Sequence, residues 1–456
     1  MITLPLTELV TVLNLKTANF DGAFTGIAID SRTVKPGNLF VAIKGERFDG
    51  HDYVAQAFAN GAQAALVERD IAGFDALFIV DNVILALGQL TAHWRAKFNL
   101  PIIAVTGSNG KTTLKNMIAA ILIAASDESQ VLATPGNFNN EIGLPLTLGA
   151  LNSMHKYAVV ELGMNHTGEL AYLSPLVQPK VAVINNAAAS HLAGVGGDVT
   201  GVAKAKGEIF VGLQKDGMAI LNRDDDFFEF WCELTNQFKR MTFGFSANAD
   251  VRAVIKTQTP THQLFTLTTP IGEIDIHLPL TGKHNIKNAL SAAASALAIG
   301  IDLVQIKAGL ENVAAAKGRM NVHPLENGAK IIDDTYNANP FSLTAALETL
   351  DIYAGKKILV LGDMRELGET ELALHAQAGN IAKSKGVHTC LTLGELSRQT
   401  SAHFGNNAWH FTDKAALIAA LTPMITSDTV VLIKGSRSMK MEQIVAALLA
   451  SETSFG

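Results

Sequence analysis

Short apolar runs alternate with amphipathic stretches along the whole chain, a pattern that predicts strands alternating with helices. In a first block, residues 1–98, the stretches GAFTGIAIDSR and LFVAI are strand-like, with a turn at 35–38 between them. Alanine and phenylalanine recur at helical spacing over 53–60, and Gly61 follows that helix. This block predicts a small α/β domain.

The second block, residues 99–314, has the pattern of a larger sheet. Apolar strands are predicted at 102–105, 157–162, 180–184 and 217–221. Helical patterns lie between these strands, which implies right-handed crossovers and a parallel sheet. Residues 248–280 are rich in threonine, contain prolines and alternate between apolar and polar positions. This pattern predicts antiparallel strands at the edge of the same domain. The stretch GKHNIKNALSAAASALAIG then predicts a helix.

The third block, residues 315–456, predicts another doubly wound α/β domain. Its strands are predicted at 330–334, 356–362, 388–393 and 429–434, with helices between them. The expected fold class is therefore α/β with three domains. A small N-terminal α/β domain precedes a central parallel sheet like that of P-loop ATPases, with an antiparallel edge, and a Rossmann-like C-terminal domain follows.

Composition narrows the function classes. The chain has 456 residues, a net charge of −6 and no basic run, which argues against a nucleic-acid partner. Cys232 and Cys390 are far apart, so they predict neither a disulfide framework nor a metal site and fit a reducing cytosol. Glu8 precedes any basic residue, and the longest apolar stretches, 117–125 and 289–301, are too short for a membrane span. We expect a soluble cytoplasmic enzyme without a membrane partner.

The stretch AVTGSNGKTTLKN predicts a phosphate-binding loop between a strand and a helix. Gly107 and Gly110 allow a tight turn, and the helix that follows adds its positive N-terminal end. Lys111 can reach the β- and γ-phosphates, and the Thr112 hydroxyl can bind Mg²⁺. Val105 stands where the usual motif has its first glycine, so this is a shortened form. Because no NKxD-like guanine motif is present, ATP is favoured over GTP.

Candidate metal ligands follow the next strands. Glu161 ends the strand YAVVE, at the carboxyl edge where parallel sheets present ligands, and a carboxylate there suits Mg²⁺. His191 lies beyond the following strand, although a single histidine in such a place is more often structural. Lys204 and Lys206 lie in GVAKAKGEIF, and we interpret Lys204 as a surface residue. Carbamylation by CO₂ would convert Lys206 into an anionic oxygen ligand.

These motifs, in this order, resemble those of the Mur ligases, ATP-dependent amino-acid and peptide ligases of cell-wall synthesis. The motifs are TGSNGKTT, VVELG, His191 with the AKGEI helix, GKHNIKNALSA, KGR and DDTYNANP, and they span almost the whole chain. Further stretches, DSRTVKPGNLFVAIKGERFDGHDY, GNFNNEIGLPLTL, GDMRELG and KGSRSMKME, resemble the member that adds D-alanyl-D-alanine to a UDP-N-acetylmuramoyl-tripeptide. The absence of a DNPR-like motif distinguishes the chain from the diaminopimelate-adding member.

The resemblance assigns roles by residue. It implies ATP binding by the loop Thr106, Gly107, Ser108, Asn109, Gly110, Lys111, Thr112 and Thr113, and by Asn285, Arg319 and Asp334. It implies Mg²⁺ binding by Thr112, Glu161, His191 and carbamylated Lys206, with Lys111, His191 and Lys206 as catalytic residues. It places the substrate against Ser31 and Arg32 at its UDP end, against Asn137, Asn139 and Asn140 near the muramyl peptide, and against Tyr336, Asn337 and Asn339 at the dipeptide end.

The resemblance also implies the chemistry and the partners. The substrates are ATP, a UDP-N-acetylmuramoyl-tripeptide and D-alanyl-D-alanine, and the tripeptide carboxylate is activated as an acyl phosphate before the dipeptide amine attacks it. Residues 1–98 would bind the UDP-linked substrate, 99–314 ATP, and 315–456 the dipeptide while closing on ATP. We expect a monomer. The third residue of the accepted peptide, diaminopimelate or lysine, stays open.

Two enzyme classes remain as alternatives. A P-loop phosphotransferase or NTPase would use the same loop but would need only a hydroxyl group or water as acceptor. A folylpolyglutamate-type ligase shares the loop and the acyl phosphate chemistry, but it would not need DSRTVKPGNLF or DDTYNANP. A non-catalytic binding module would leave Lys111, Glu161, His191 and Lys206 unexplained.

Overall fold

The structure is a computed structural model that describes residues 1–16 and 21–452. Strands in these residues form four sheets, which are two-, four-, nine- and six-stranded. No helix in the described ranges is long and apolar enough to cross a membrane. The α/β class with parallel sheets agrees with the fold predicted from the sequence.

The N-terminal part contains the two smallest sheets of the described chain. Its elements are β1 (Thr3–Pro5), α1 (Leu6–Val12), β2 (Ala23–Thr25), β3 (Ile27–Ala28), β4 (Leu39–Val41), α2 (Val54–Ala59), β5 (Ala64–Val67), β6 (Leu77–Ile79) and α3 (Val83–Ala96). The strand-like stretch GAFTGIAIDSR is not one strand: β2 pairs with β1, whereas β3 pairs with β4 in the other sheet. Gly26, between them, has a φ of +80°, a conformation that glycine adopts readily.

The central part of the described chain builds the nine-stranded sheet. Its elements are β7 (Ile102–Thr106), α4 (Lys111–Ala124), β8 (Val131–Ala133), α5 (Gly143–Gly149), β9 (Tyr157–Glu161), α6 (Glu169–Val177), β10 (Val181–Ile184), α7 (Val199–Gly207), β11 (Met218–Asn222), α8 (Phe228–Leu234), β12 (Lys239–Gly244), β13 (Val251–Gln258), β14 (Gln263–Thr269), β15 (Gly272–Leu278), α9 (Lys283–Leu297) and α10 (Leu303–Glu311). The strand order is β15-β14-β13-β12-β11-β10-β7-β9-β8. As predicted, β13, β14 and β15 form an antiparallel edge.

The C-terminal part builds the six-stranded sheet of the described residues. Its elements are β16 (Asn321–Pro324), β17 (Lys330–Asp334), α11 (Pro340–Leu350), β18 (Lys356–Gly362), α12 (Glu371–Ser384), β19 (Thr389–Leu393), α13 (Arg398–Phe404), β20 (Ala408–Phe411), α14 (Lys414–Leu421), β21 (Thr429–Lys434) and α15 (Glu442–Glu452). The order is β16-β17-β21-β18-β19-β20, and every pairing except β16 with β17 is parallel.

Strand β7 shows why the central sheet is buried on both faces. Ile103 and Val105 pack into a core shared with α4 and α9, whereas Ile102 and Ala104 pack into the core of the opposite face. This alternation follows from the two-residue period of a strand. Because β7 lies between β10 and β9 and runs parallel to both, the ends of these three strands meet at one edge of the sheet. The candidate site lies at that edge.

Candidate active site

The phosphate loop follows β7 directly. The strand ends at Thr106 and α4 begins at Lys111, so the N-terminus of α4, with its unpaired N–H groups, stands at the carboxyl edge of the sheet. Gly110 has a φ of +79°, and a Cβ atom there would lie 2.6 Å from Asn288 Oδ1. Both the backbone conformation and the available space therefore favour glycine at this position.

A cavity of about 1140 Å³ opens above this edge and is lined by residues from both large sheets. Most residues predicted to bind nucleotide or substrate line it. Those that do not are Ser31, Arg32, Thr106, Gly107, Thr112 and Lys206. The cavity thus unites the phosphate loop with Glu161, His191 and Arg319, which are far apart in the sequence.

Lys111 lies inside the loop that precedes it. Its Nζ donates to the carbonyl oxygen of Gly107 at 2.7 Å. Burial lowers the pKa of Lys111, an effect that Glu161 opposes and Arg319 reinforces. A bound anion would stabilise this buried cation.

Thr112 and Glu161 form the centre of a polar cluster. The Thr112 hydroxyl donates to Glu161 Oε2 at 2.9 Å, and Asn139 Nδ2 donates to Glu161 Oε1 at 2.8 Å. Arg319 reaches the same hydroxyl from the other side, since its NH2 group lies 3.0 Å from Thr112 Oγ1. Glu161 is 3% exposed, which rules out a solvated strand end.

Asparagine side chains surround the phosphate loop. Asn186 accepts from the Asn109 N–H at 2.9 Å, and Asn185 donates both to the Asn109 carbonyl and to Asn288 Oδ1, at 3.0 and 2.8 Å. Asn288 in turn donates to Asn285 Oδ1 at 3.3 Å. This network connects Asn285, which was predicted to bind ATP, to the loop through side-chain amides.

The C-terminal sheet contributes one side of the cavity. Arg319 lies over the Tyr336 ring, with its Cζ atom 4.3 Å from the ring centre. Asp334, at the end of β17, pairs with Lys434 at 2.5 Å, and the same ammonium donates to the Asn337 carbonyl at 3.0 Å. Tyr336 and Asn337, which were predicted to contact the dipeptide, therefore also support Arg319 and Lys434.

Asn339 has two contacts that fix its place. Its Oδ1 accepts from the Ser342 N–H at the start of α11, where Pro340 is the first residue. Its Nδ2 donates to Asn109 Oδ1 at 2.9 Å. Asn339 thus connects the C-terminal sheet directly to the phosphate loop.

His191 lies in the loop after β10 and faces a residue that the sequence did not single out. Its Nδ1 is 2.7 Å from Glu366 Oε2, in the loop after β18. Hydrogen bonding to His191 lowers the pKa of the Glu366 carboxyl, an effect that burial opposes. Both side chains line the cavity.

Lys206, on α7, is only 1% exposed. Burial, reinforced by the nearby Lys111, holds the pKa of Lys206 well below its ordinary value. No ion pair within the described ranges includes its ammonium group. Lys204, two residues earlier, is exposed, as predicted.

Ser31 and Arg32 lie apart from the cavity, in the short turn Ser31–Thr33. The buried Ser31 hydroxyl donates to Gln56 Oε1 at 2.7 Å, and the exposed Arg32 pairs with Asp30 at 2.6 Å. Their predicted contact with the UDP end stays a prediction.

Sequence reasoning missed Lys115. It lies one turn after Lys111 on α4, is 6% exposed, and donates from Nζ to the Thr134 carbonyl at 2.8 Å. The Thr134 hydroxyl in turn accepts from the Glu161 N–H at 2.9 Å. The available signal was that a lysine four residues after Lys111 lies on the same face of the helix.

The cavity fits a phosphate and a hard cation. Asn109 Nδ2 is buried and has no partner among the residues described, so a donor is free beside the loop. Glu161 is a buried carboxylate whose oxygens accept from a hydroxyl and an amide among the described residues, and carboxylate and hydroxyl oxygens suit Mg²⁺. No group of three or more His, Cys, Asp or Glu residues with metal-binding spacing occurs in the described ranges, and the predicted set contains only two such residues.

Comparison with known proteins identifies the family. Three family models match in chain order: Mur ligase family, catalytic domain, over residues 23–93; Mur ligase middle domain over 105–296; and Mur ligase, glutamate ligase domain, over 318–437. A relative from Escherichia coli (strain K12), UDP-N-acetylmuramoyl-tripeptide–D-alanyl-D-alanine ligase, is 44% identical over 99% of this chain and 100% of its own length. The chain belongs to the Mur ligase family.

Solved structures support the same family for this Mur ligase. MurF from Acinetobacter baumannii is 37% identical and has a TM-score of 0.93 over 98% of this chain and 99% of that one. MurF ligase from Thermotoga maritima, solved in complex with ADP, is 25% identical and has a TM-score of 0.83 over 95% of this chain and 99% of that one. The family that the motifs resembled is confirmed.

Proposed function

We propose that this Mur ligase uses ATP to join D-alanyl-D-alanine to a UDP-N-acetylmuramoyl-tripeptide, giving the UDP-linked pentapeptide, ADP and phosphate. The observation that carries the proposal is the single cavity in which the phosphate loop, Glu161 and Arg319 meet. The E. coli relative carries the same two substrates in its name, and the Thermotoga structure holds ADP.

The three parts of the chain would each bind one substrate. Residues 1–98 would hold the UDP end at Ser31 and Arg32, residues 99–314 ATP, and residues 315–456 the dipeptide. Ser31 and Arg32 do not line the cavity, which suits a long substrate whose UDP group is remote from its reacting carboxylate. The proposed active form is the monomer.

The chemistry requires two steps. A carboxylate oxygen of the tripeptide bonds to the γ-phosphorus of ATP, and the bond to ADP breaks, which gives an acyl phosphate. The dipeptide nitrogen then bonds to the acyl carbon, the bond to phosphate breaks, and the amine loses a proton. Lys111, the N-terminus of α4 and Arg319 would offset the repulsion between the two anions of the first step.

Thr112 and Glu161 would hold one Mg²⁺, and His191, with Lys206 as a carbamate, would hold a second; when bound, they supply positive charge against the phosphates. In its ammonium form, Lys206 would be a second buried cation close to Lys111. Its lowered pKa leaves more of the amine neutral, which is the form that reacts with CO₂. The carbamate would reverse the sign of the charge and remove the repulsion.

Contacts across the cavity would exclude water from the acyl phosphate. Arg319 reaches Thr112 at 3.0 Å, and Asn339 reaches Asn109 at 2.9 Å. Both pairs connect the C-terminal part to α4 or to the phosphate loop. Hydrolysis of the activated carboxylate would be suppressed while these contacts hold.

The test is phosphate release from ATP by purified protein, with UDP-N-acetylmuramoyl-tripeptide and D-alanyl-D-alanine each omitted in turn. Release that needs every component, together with a UDP-linked pentapeptide by mass spectrometry, supports the proposal. Tripeptides ending in diaminopimelate or in lysine, compared side by side, identify the accepted third residue. Release with ATP alone would favour the phosphotransferase alternative. No release with these substrates, but release with a folate and glutamate, would favour the folylpolyglutamate-type ligase.

A further inference from the structure

Two loops from different sheets meet at one side-chain contact in the cavity. His191 follows β10 of the nine-stranded sheet, and Glu366 follows β18 of the six-stranded sheet. Their Nδ1 and Oε2 atoms are 2.7 Å apart. Two lone pairs at this distance would repel each other, so a proton must lie between the atoms, and the carboxylate can only accept it.

The backbone holds both residues in an unusual conformation. His191 has a φ of +53° and Glu366 a φ of +66°, in the left-handed region that residues other than glycine seldom adopt. Such conformations persist where the surrounding structure stabilises them, and they are concentrated at functional sites. Here the side chains of the two strained residues contact each other, and both line the cavity.

The loop that carries Glu366 is fixed by its own contacts. The N–H of the preceding Arg365 donates to the Ser436 hydroxyl at 2.8 Å, and the Arg365 side chain pairs with the buried Asp363 at 2.9 Å. The neighbouring Arg365 therefore pairs with Asp363 and not with Glu366, whose carboxylate contacts His191.

The contact determines which imidazole nitrogen is available. In the neutral imidazole that carries its one proton on Nδ1, shared with Glu366, Nε2 keeps its lone pair. Proteins commonly orient a metal-binding histidine by placing a carboxylate against the ring nitrogen that does not bind the metal. Because Glu366 belongs to the other sheet, His191 acquires this partner only while the two sheets are in contact.

We propose that Glu366 is a positioning residue for the ligase reaction, contributed by the C-terminal part to orient His191 toward a divalent cation bound with the nucleotide. The inference rests on the proposed function. Glu366 would orient His191 and not stabilise the fold. Its side chain is 62% exposed, and even an ion pair between exposed side chains contributes little to folding.

The test is a double-mutant cycle of Glu366→Ala and His191→Ala, with Glu366→Gln as the conservative variant. Glu369→Ala is the matched control, since Glu369 is an exposed acid in the same loop and does not line the cavity. We expect Glu366→Ala to lower kcat about tenfold or more, with the KM for each substrate within twofold and Tm unchanged. Glu366→Gln, which keeps an acceptor oxygen, should stay within about threefold of wild type.

In the cycle, Glu366→Ala should have no further effect on kcat when His191 is already alanine. A second readout needs no turnover: Mn²⁺ binding to the protein with ADP, measured by electron paramagnetic resonance of the free ion. We expect Glu366→Ala alone to weaken Mn²⁺ binding. Added to the His191→Ala protein, the same substitution should not change Mn²⁺ binding further.

Wild-type kcat in Glu366→Ala would overturn the proposal, as would additive effects in the cycle, unchanged Mn²⁺ binding in Glu366→Ala, or a Glu366→Gln variant as slow as Glu366→Ala. Failure of the proposed function is seen separately, because the wild-type protein would then form no pentapeptide. The Mn²⁺ measurement stays informative in that case.

Discussion

The Arg319 guanidinium donates to the Thr112 hydroxyl at 3.0 Å, which joins a residue just before β16 to the first turn of the phosphate-loop helix. The two residues are 207 positions apart in the chain. The same hydroxyl donates to Glu161, so Thr112 connects Arg319 to a proposed ligand of the cation. The position of the C-terminal part is thereby coupled to the groups that would bind ATP.

Arg319→Ala should lower kcat by about 100-fold or more, because it removes a fixed cation from the place where phosphate charge develops. Arg319→Lys should recover only part of this loss, since lysine lacks the planar fork that stacks on Tyr336. Steady-state kinetics of the complete reaction measure both variants. Tyr336→Phe keeps the ring and should be close to wild type, whereas Tyr336→Leu should be slower. Equal rates for these two variants would contradict a supporting role for the ring.

Lys115→Met should lower kcat about tenfold. The substitution keeps the apolar stem but leaves the Thr134 carbonyl without its donor, and Thr134 is the residue that accepts from the Glu161 N–H. An unsatisfied buried carbonyl costs about 1–3 kcal/mol, so Tm should also fall by several degrees. Lys204→Met, at an exposed lysine, is the control for both measurements. A fully active Lys115→Met protein would show that this contact is dispensable for catalysis.

Lys206→Ala should abolish activity, and bicarbonate should not restore it. Lys206→Arg should do no better, because arginine keeps the buried positive charge and forms no carbamate. Wild-type protein stripped of CO₂ should be slow and should recover when bicarbonate is added. Phosphate release measured with and without bicarbonate tests this, and near-normal activity of Lys206→Ala would remove Lys206 from the mechanism.

Lys206 should also make stability depend on pH. Burial and Lys111 place the pKa of Lys206 in the folded protein well below its ordinary value of 10.5. Between those two values the unfolded chain holds a proton that the folded chain lacks, so stability should rise as the pH increases toward 10.5. Below the folded pKa both states are protonated, so stability no longer changes with pH through Lys206 and the destabilising effect of its buried charge is largest. In CO₂-free buffer, thermal unfolding at pH 7 to 10 should show this rise in wild type and a smaller one in Lys206→Met.

The local elements could be predicted because each depends on nearby residues. The apolar run before Gly107 and the helical spacing after Lys111 identified β7 and α4, and alternation with prolines identified β13, β14 and β15 as antiparallel. GAFTGIAIDSR was harder to interpret. Its strand character is real on both sides of Gly26, but which sheet each half joins depends on partners elsewhere in the chain.

The sequence by itself determined the phosphate loop, most of the inner strands of both large sheets, and the motifs that resemble the Mur ligases, since these are set by short-range spacing and residue type. It did not identify the strands β8, β12, β16 and β20. Only the tertiary structure decided that Arg319 contacts Thr112, that Asn339 contacts Asn109 and that Glu366 faces His191. No local pattern encodes these pairs, because each joins loops of two different sheets whose relative position is fixed by packing. The same holds for Lys115 and Lys206, whose burial follows from the cores around them and not from their neighbours in the chain.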